Sequence, residues 1–307
     1  MNVLVTGIAS DIGFGVGRIM KEWGIFNQIH GIDINDDHPG SLLFDFVQIA
    51  PMAVSKNYIN WICDYIQKHK IELLIPTSES EILIISNNLV RFDALTHVLI
   101  NDPSLIEICL DKHKTMDFLS SKGIPVPLNG IVGVDNPKNF PVIIKPRTGQ
   151  GSKNLKTVYS DIDFNSLGAG LVWQELLTPE NQEYTCAIYV APNLDIKFLQ
   201  INRTLIGGYT GKGEILKNHE ISIYLEMIAD VFRLPGCFNV QLRLTDQGPL
   251  LFEINPRLSS TLVFRDKLGF TDLRWWVCDK LGYVKTTYVE PVFGTKIYRG
   301  NNEYIQN

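Results

Sequence analysis

Asn239-Val240-Gln241-Leu242-Arg243, a turn at Asp246-Gln247-Gly248, then Leu250-Leu251-Phe252-Glu253-Ile254-Asn255-Pro256-Arg257: the reading of the chain turns on this stretch. It predicts two strands joined by a tight turn. Residues two apart on a strand share a face, so Glu253 and Asn255 point the same way and Ile254 points into the core. Across the hairpin Gln241 reaches the same face. A carboxylate and two amide oxygens then converge on one sheet surface. Hard oxygen ligands of this kind suit Mg²⁺ completed by phosphates and water. Arg257, just beyond, would add positive charge at a transferring phosphoryl group. The competing reading is a polar outer face on a surface hairpin.

A second cluster lies upstream. Pro141-Val142-Ile143-Ile144 is an apolar strand that delivers Lys145 at its end, and Gly149, Gly151 and Ser152 follow in a flexible loop. Glycine lacks the Cβ that would keep backbone N–H groups away from phosphate oxygens. Lys145 would supply fixed charge to the same phosphates. The loop is not a Walker A sequence, which ends in Gly-Lys-Ser/Thr. A solvated basic turn on a β-hairpin is the alternative.

The first hundred residues alternate strand and helix patterns. Val3–Val5, Ile29–Ile34, Ile71–Ile75 and Val98–Asn101 read as strands; roughly 15–23, 55–69 and 79–90 read as helices. Such alternation implies a parallel sheet with crossover helices. Gly7, Gly13, Gly15 and Gly17 fall at the first strand–helix junction, with Asp33 ending the next strand. That context suits either a phosphate-binding turn or a tight βα turn closed by packing. Thr77-Ser78-Glu79-Ser80-Glu81 is either a polar substrate contact or a helix cap, with Ser78 capping. Beyond Pro103 the texture changes to two short helices over 104–122, short strands over 128–175, two long strands over 183–206 and a helix near 219–233. Trp275-Trp276 reads as helix packing, and His113 and His219 as surface residues.

Composition sets the outer limits. The 307 residues carry 28 Lys plus Arg against 33 Asp plus Glu, a net charge of −5 that gives no reason to expect nucleic acid. The five cysteines include no Cys-x-x-Cys pair, so neither a disulfide framework nor a zinc site is expected. No apolar run approaches the roughly 18 residues that span a bilayer. The chain opens directly on a strand without a basic leader, so the expectation is a cytoplasmic protein without membrane attachment.

Taken in order, these pieces resemble the ATP-grasp superfamily, nearest to enzymes like one half of the carbamoyl phosphate synthase large subunit. Leu110-Asp111-Lys112, followed by Gly123-Ile124-Pro125-Val126-Pro127, is similar to the family's first lysine motif and lid entry. Lys145 and residues 149–152 resemble the second lysine and the glycine-rich lid loop. Trp173-Gln174-Glu175-Leu176-Leu177 resembles the adenine hinge, with Glu175 and the backbone near Leu176 holding the base, and Glu183 matches a ribose-binding position. Gln241, Glu253 and Asn255 match the metal triad. Arg203 sits where related ligases place an arginine near phosphate or an acceptor carboxylate; a surface strand is its other reading. The resemblance implies an α/β and α+β architecture: a Rossmann-like domain over 1–103, a lid with its entry helices over 104–175 and a C-terminal subdomain over 176–307 holding Mg²⁺ (Mn²⁺ as a substitute). It further implies an ATP-dependent ligase that activates a carboxylate as an acyl phosphate and joins it to an amine, a role compatible with a homo-oligomer. An NAD(P)-dependent oxidoreductase built on the first glycine turn and a non-catalytic ATP-binding module are the alternatives.

Overall fold

The computed structural model describes residues 1–149 and 155–300. Strands β1 (Asn2–Thr6), β2 (Gln28–Asp33), β3 (Phe46–Ile49), β4 (Ile71–Ile75) and β5 (His97–Val98) form a parallel sheet in the order β3-β2-β1-β4-β5. Helices α1 (Asp11–Trp23), α2 (Tyr58–His69) and α3 (Glu79–Ser86) connect it. The central strands are apolar on both faces because both faces are covered. Val3 and Val5 pack with Val16, Ile19 and Met20 of α1. Leu4 and Leu74 pack on the other side with Tyr58, Ile62 and Ile66 of α2.

The first glycine cluster is closely packed. Helix α1 starts four residues earlier than its apolar spacing suggests, because Ser10 caps it by accepting from the Gly13 N–H at 3.1 Å. A Cβ on Gly13 would lie 2.3 Å from the Gly7 carbonyl oxygen, and one on Gly17 would lie 2.2 Å from the Phe44 ring. Asp33, the other half of a dinucleotide signature, accepts from the Ala9 N–H at 2.8 Å. Gly17→Ala is therefore expected to destabilise the protein by about 1–3 kcal/mol through overpacking against Phe44. Equilibrium urea unfolding checks this, and an unchanged midpoint contradicts it.

Two other elements end earlier than their apolar pattern. Helix α3 stops at Ser86, followed by a 3₁₀ turn at Leu89–Arg91. The Asn88 amide donates to the Ile84 carbonyl at 2.8 Å, competing for the backbone there. Strand β5 stops at Val98, and Asn101 instead donates to the carbonyls of Cys237 (2.6 Å) and Pro256 (2.8 Å). Its side chain thus joins the parallel sheet to the rest of the chain. Ser78 caps α3, its hydroxyl accepting from the Glu81 N–H at 3.3 Å and donating to the Glu81 carboxylate.

Helices α4 (Pro103–Cys109) and α5 (Lys112–Ser121) lead into a small antiparallel sheet. It holds β6 (Asn129–Ile131), β7 (Val142–Lys145), β8 (Lys156–Val158) and β9 (Val172–Glu175) in the order β6-β9-β7-β8, with α6 (Asp161–Asn165) alongside. A larger antiparallel sheet follows: β10 (Glu183–Val190), β11 (Ile196–Ile206), β12 (Tyr209–Leu216), β13 (Gly236–Thr245), β14 (Gly248–Asn255) and β15 (Lys296–Tyr298), in the order β14-β13-β10-β11-β12-β15. Its even-numbered β10 residues, Tyr184, Cys186 and Ile188, pack with Val240, Leu242 and Ile254 under α7 (His219–Phe232). Its odd-numbered face divides. Tyr189, Leu199 and Ile201 join the core of the parallel sheet, together with α8 (Leu262–Lys267) and α9 (Asp272–Leu281), where Trp275 and Trp276 are buried. Glu183, Gln241 and Glu253 take the other part of that face. All five cysteines are buried and free. Among the described residues no helix is long and apolar enough to cross a membrane.

Candidate active site

A cavity of about 830 Å³ lies between the small sheet and the polar part of the large one. Its floor is set by strand register. Gln241 pairs directly with Glu253, Asn239 with Asn255, and Glu183 with Arg243. Directly opposed residues share a face, so one face carries all six. The β13–β14 ladder slips between Gln241 and Leu242, leaving Phe252 as the extra residue of a bulge. The Phe252 carbonyl then accepts from Lys145 at 2.9 Å.

Lys145 is 5% exposed at the end of β7 and also donates to the Gln174 side-chain oxygen at 2.7 Å. Burial pulls its pKa down from 10.5 to about 8; Glu253 opposes the shift and Lys112 adds to it. Lys112 opens α5, capped by Asp111. Its ammonium reaches the Gly149 carbonyl at 2.7 Å and the Glu253 carboxylate at 3.1 Å. Arg147 holds Asp111 by a two-nitrogen fork, the closer contact 2.6 Å, and the Arg147 carbonyl accepts from the Lys112 N–H at 2.9 Å. The start of the glycine loop is thereby tied to α5. Gly151 and Ser152 lie outside the described residues.

Another part of the lining is the end of β9 and the segment that follows it. Glu175 accepts from the Leu128 N–H at 3.0 Å, and the Leu176 N–H donates to the Pro141 carbonyl at 3.4 Å. Glu183 is gripped from both sides. Arg203 donates to Oε1 at 2.9–3.0 Å, and Arg243 donates to Oε2 at 2.7 Å. Arg203 also donates to the Gln241 side-chain oxygen at 2.7 Å.

Lys112, Lys145, Gly149, Gln174, Glu175, Leu176, Glu183, Arg203, Gln241 and Glu253 all line the cavity. Asn255 and Arg257 do not. Asn255 is 4% exposed and its oxygen accepts from Arg257 at 2.9 Å; Arg257 in turn binds Glu79 of α3 at 2.9 Å. That pair stands where the parallel sheet meets the large one. Among the described residues no group of three or more His, Cys, Asp or Glu side chains could hold a metal. The oxygen donors here are one carboxylate and amides. Arg243 and Asn239 went unassigned in the sequence, although the two-residue spacing from Gln241 places both on its face.

A family model described as an ATP-grasp domain matches residues 109–261, from the end of α4 through the loop after β14. Residues 109–261 form an ATP-grasp domain. The chain is also 24% identical over 204 residues to the carbamoyl phosphate synthase large chain of Methanosarcina mazei. That match covers 58% of this chain and 19% of that protein, so the chain spans about a fifth of its relative. N5-carboxyaminoimidazole ribonucleotide synthetase from Thermus thermophilus superposes with a TM-score of 0.72 at 12% identity, covering 96% of this chain and 81% of that one. Biotin carboxylase from Campylobacter jejuni gives 0.71 at 14%, covering 93% and 72%, and L-amino acid ligase from Bacillus licheniformis 0.70 at 14%, covering 91% and 74%. These likenesses take in the N-terminal parallel sheet, so the whole is an ATP-grasp fold preceded by a Rossmann-like sheet.

Proposed function

We propose that this protein is an ATP-dependent ligase that phosphorylates a carboxylate and joins the acyl group to an amine or similar nucleophile. The observation that carries the reading is the make-up of the cavity: Lys112, Lys145, Gln241 and Glu253 line it together with the apolar Ile143, Leu176, Leu177 and Phe252. A triphosphate fits the first set and a heteroaromatic base the second. In this reading residues 1–103, 104–175 and 176–307 are the three working parts. The two lysine ammoniums hold the phosphates, Gln174, Glu175 and Leu176 border the base, and Glu183 takes the ribose.

The oxygen donors of Glu253 and Gln241, which line the cavity, are of the hard type that suits Mg²⁺, with Mn²⁺ as a substitute; the Asn255 oxygen, bonded to Arg257 off the cavity, would have to be released from that arginine to join them. When bound, the ion neutralises charge on the transferring phosphoryl group. The chain's own work is positioning. Lys112 and Lys145 fix the phosphate chain. Arg203 and Gln241 brace the floor beneath it. Closure of the small sheet excludes water from the acyl phosphate. In the first step a carboxylate oxygen attacks the γ-phosphorus and ADP leaves. In the second the nucleophile attacks the acyl carbon, inorganic phosphate leaves and the amine gives up a proton. Arg257, between Asn255 and Glu79, stands on the side from which the N-terminal sheet would present a substrate.

The oxidoreductase alternative lacks support, since Gly13 and Gly17 are closed by packing and Asp33 already accepts from the Ala9 N–H of the β1–α1 turn. An ATPase screen against carboxylates and amines, with mass spectrometry of the products, tests the ligase reading. Phosphate release with no carboxylate dependence would overturn it. The depressed pKa of Lys145 makes a further prediction. Phosphates bind its charged form, so ATP affinity should be flat below about pH 8 and weaken about tenfold per pH unit above it. Calorimetric titration across that range checks this, with Lys145→Arg expected to remove the dependence. A flat wild-type profile would take Lys145 out of phosphate binding.

A further inference from the structure

Arg243 is the residue the proposed function leaves unexplained. It stands directly opposite Glu183 in the β10–β13 register. One terminal nitrogen donates to the Glu183 carboxylate at 2.7 Å and the other donates to the Leu177 carbonyl. Leu177 closes the hinge segment; Glu183 opens β10. Between them runs only an irregular connection with a 3₁₀ turn at Glu180–Gln182. One planar guanidinium therefore fixes the distance between the two ends of that connection. A lysine could not do the same, because a single ammonium is a point charge without a fork.

We propose that Arg243 is the positioning residue that sets nucleoside specificity, by locking the base hinge and the ribose carboxylate into one rigid unit. The proposal rests on the ATP reading of the cavity. Arg203 grips the second carboxylate oxygen, so Glu183 is held against rotation by charge-assisted bonds on both sides. An ionised carboxylate offers about four lone-pair directions. The arginines use one on each oxygen, leaving the others for hydroxyl donors. A carboxylate oriented before the nucleotide arrives needs no reorganisation on binding. A site built to receive hydroxyl donors rejects a ligand that lacks one. The consequence is strong preference for ATP over dATP, and the preference depends on Arg243 although Arg243 itself need not touch the sugar.

The test is equilibrium binding of ATP and of dATP to the full chain, with Arg243→Lys and Arg243→Met, folding of each variant being checked by circular dichroism. Wild type is expected to prefer ATP by about 100-fold. Arg243→Met should weaken ATP about tenfold while dATP changes little, so the ratio falls to about ten, with Arg243→Lys between the two. Equal weakening of both nucleotides, ratio preserved, would show a merely structural arginine and overturn the proposal alone. Wild-type protein that binds neither nucleotide overturns the ligase reading and this proposal with it.

Discussion

Glu253→Ala should lower Mg²⁺-dependent ATP turnover by about a thousandfold while leaving the fold intact. The magnitude is that of removing one preorganised electrostatic group from a site whose catalysis is positioning and charge neutralisation. The side chain is 20% exposed on the cavity floor and, among the described residues, ion-paired with Lys112, itself 12% exposed. Its truncation opens no core cavity, and a partly exposed pair contributes little to stability. Ile254, one residue on, is 2% exposed and belongs to the core under α7, so damage spreading to the fold would announce itself there. The measurement is coupled-assay turnover beside a thermal melt. Turnover within tenfold of wild type, with an unchanged melt, would remove Glu253 from the metal face.

The largest effect on stability is expected far from the cavity. Arg265 and Asp272 have side chains only 1% and 3% exposed and meet at 2.7 Å. Arg265 also donates to Ser259 and Thr261 at 2.7 and 2.6 Å. Burial pushes the Asp272 carboxyl up, against the pull of Arg265, so the intact pair gains little net energy. Breaking it is different. Asp272→Ala strands a guanidinium in the interior, at a cost of about 3–5 kcal/mol. The pair Lys217–Glu290 meets at 2.9 Å with side chains 60% and 53% exposed, and should lose less than about 1 kcal/mol on the same truncation. Denaturant unfolding of both variants makes the comparison; equal losses would contradict it. Ser259 and Thr261 follow closely on Arg257, so the same substitution should also loosen the loop beyond Arg257.

The sequence carried most of the architecture because its periodicities were clean. The hairpin from Gln241 to Asn255 alternates except at the Phe252 bulge, α7 keeps one apolar face, and Ile71–Ile75 is apolar save for Glu72. What it concealed has specific causes. Strand β12 (Tyr209–Leu216) contains Gly211 and Gly213, which dilute the alternation, and each lies where a Cβ would press on a neighbour: Ile206 for the first, the Asn202 carbonyl and Ile201 for the second. Strand β3 has all four residues exposed, so it shows no burial pattern to read. The cavity's composition was legible, since motif order brought Lys112, Lys145, Glu183 and Glu253 to one place. The pairings were not. That Arg203 and Arg243 share Glu183, or that Arg257 reaches Glu79 across 178 positions, depends on contacts no local pattern encodes.

The bulge at Phe252 has a bearing on descent. Leu251 and Ile254 are three residues apart, an odd interval that would put them on opposite faces of a regular strand, yet both belong to the core under α7. The extra residue absorbs the difference and leaves Glu253 and Asn255 on the face of Gln241 and Asn239. A lineage that dropped Phe252 would turn either Leu251 out of the core or Glu253 into it, because a one-residue slip exchanges the two faces. The length of Gly248–Asn255 is therefore inherited under a double constraint, while the turn at 246–247 is free to lengthen. Insertions and deletions tolerated by relatives of this chain should stop at Gly248.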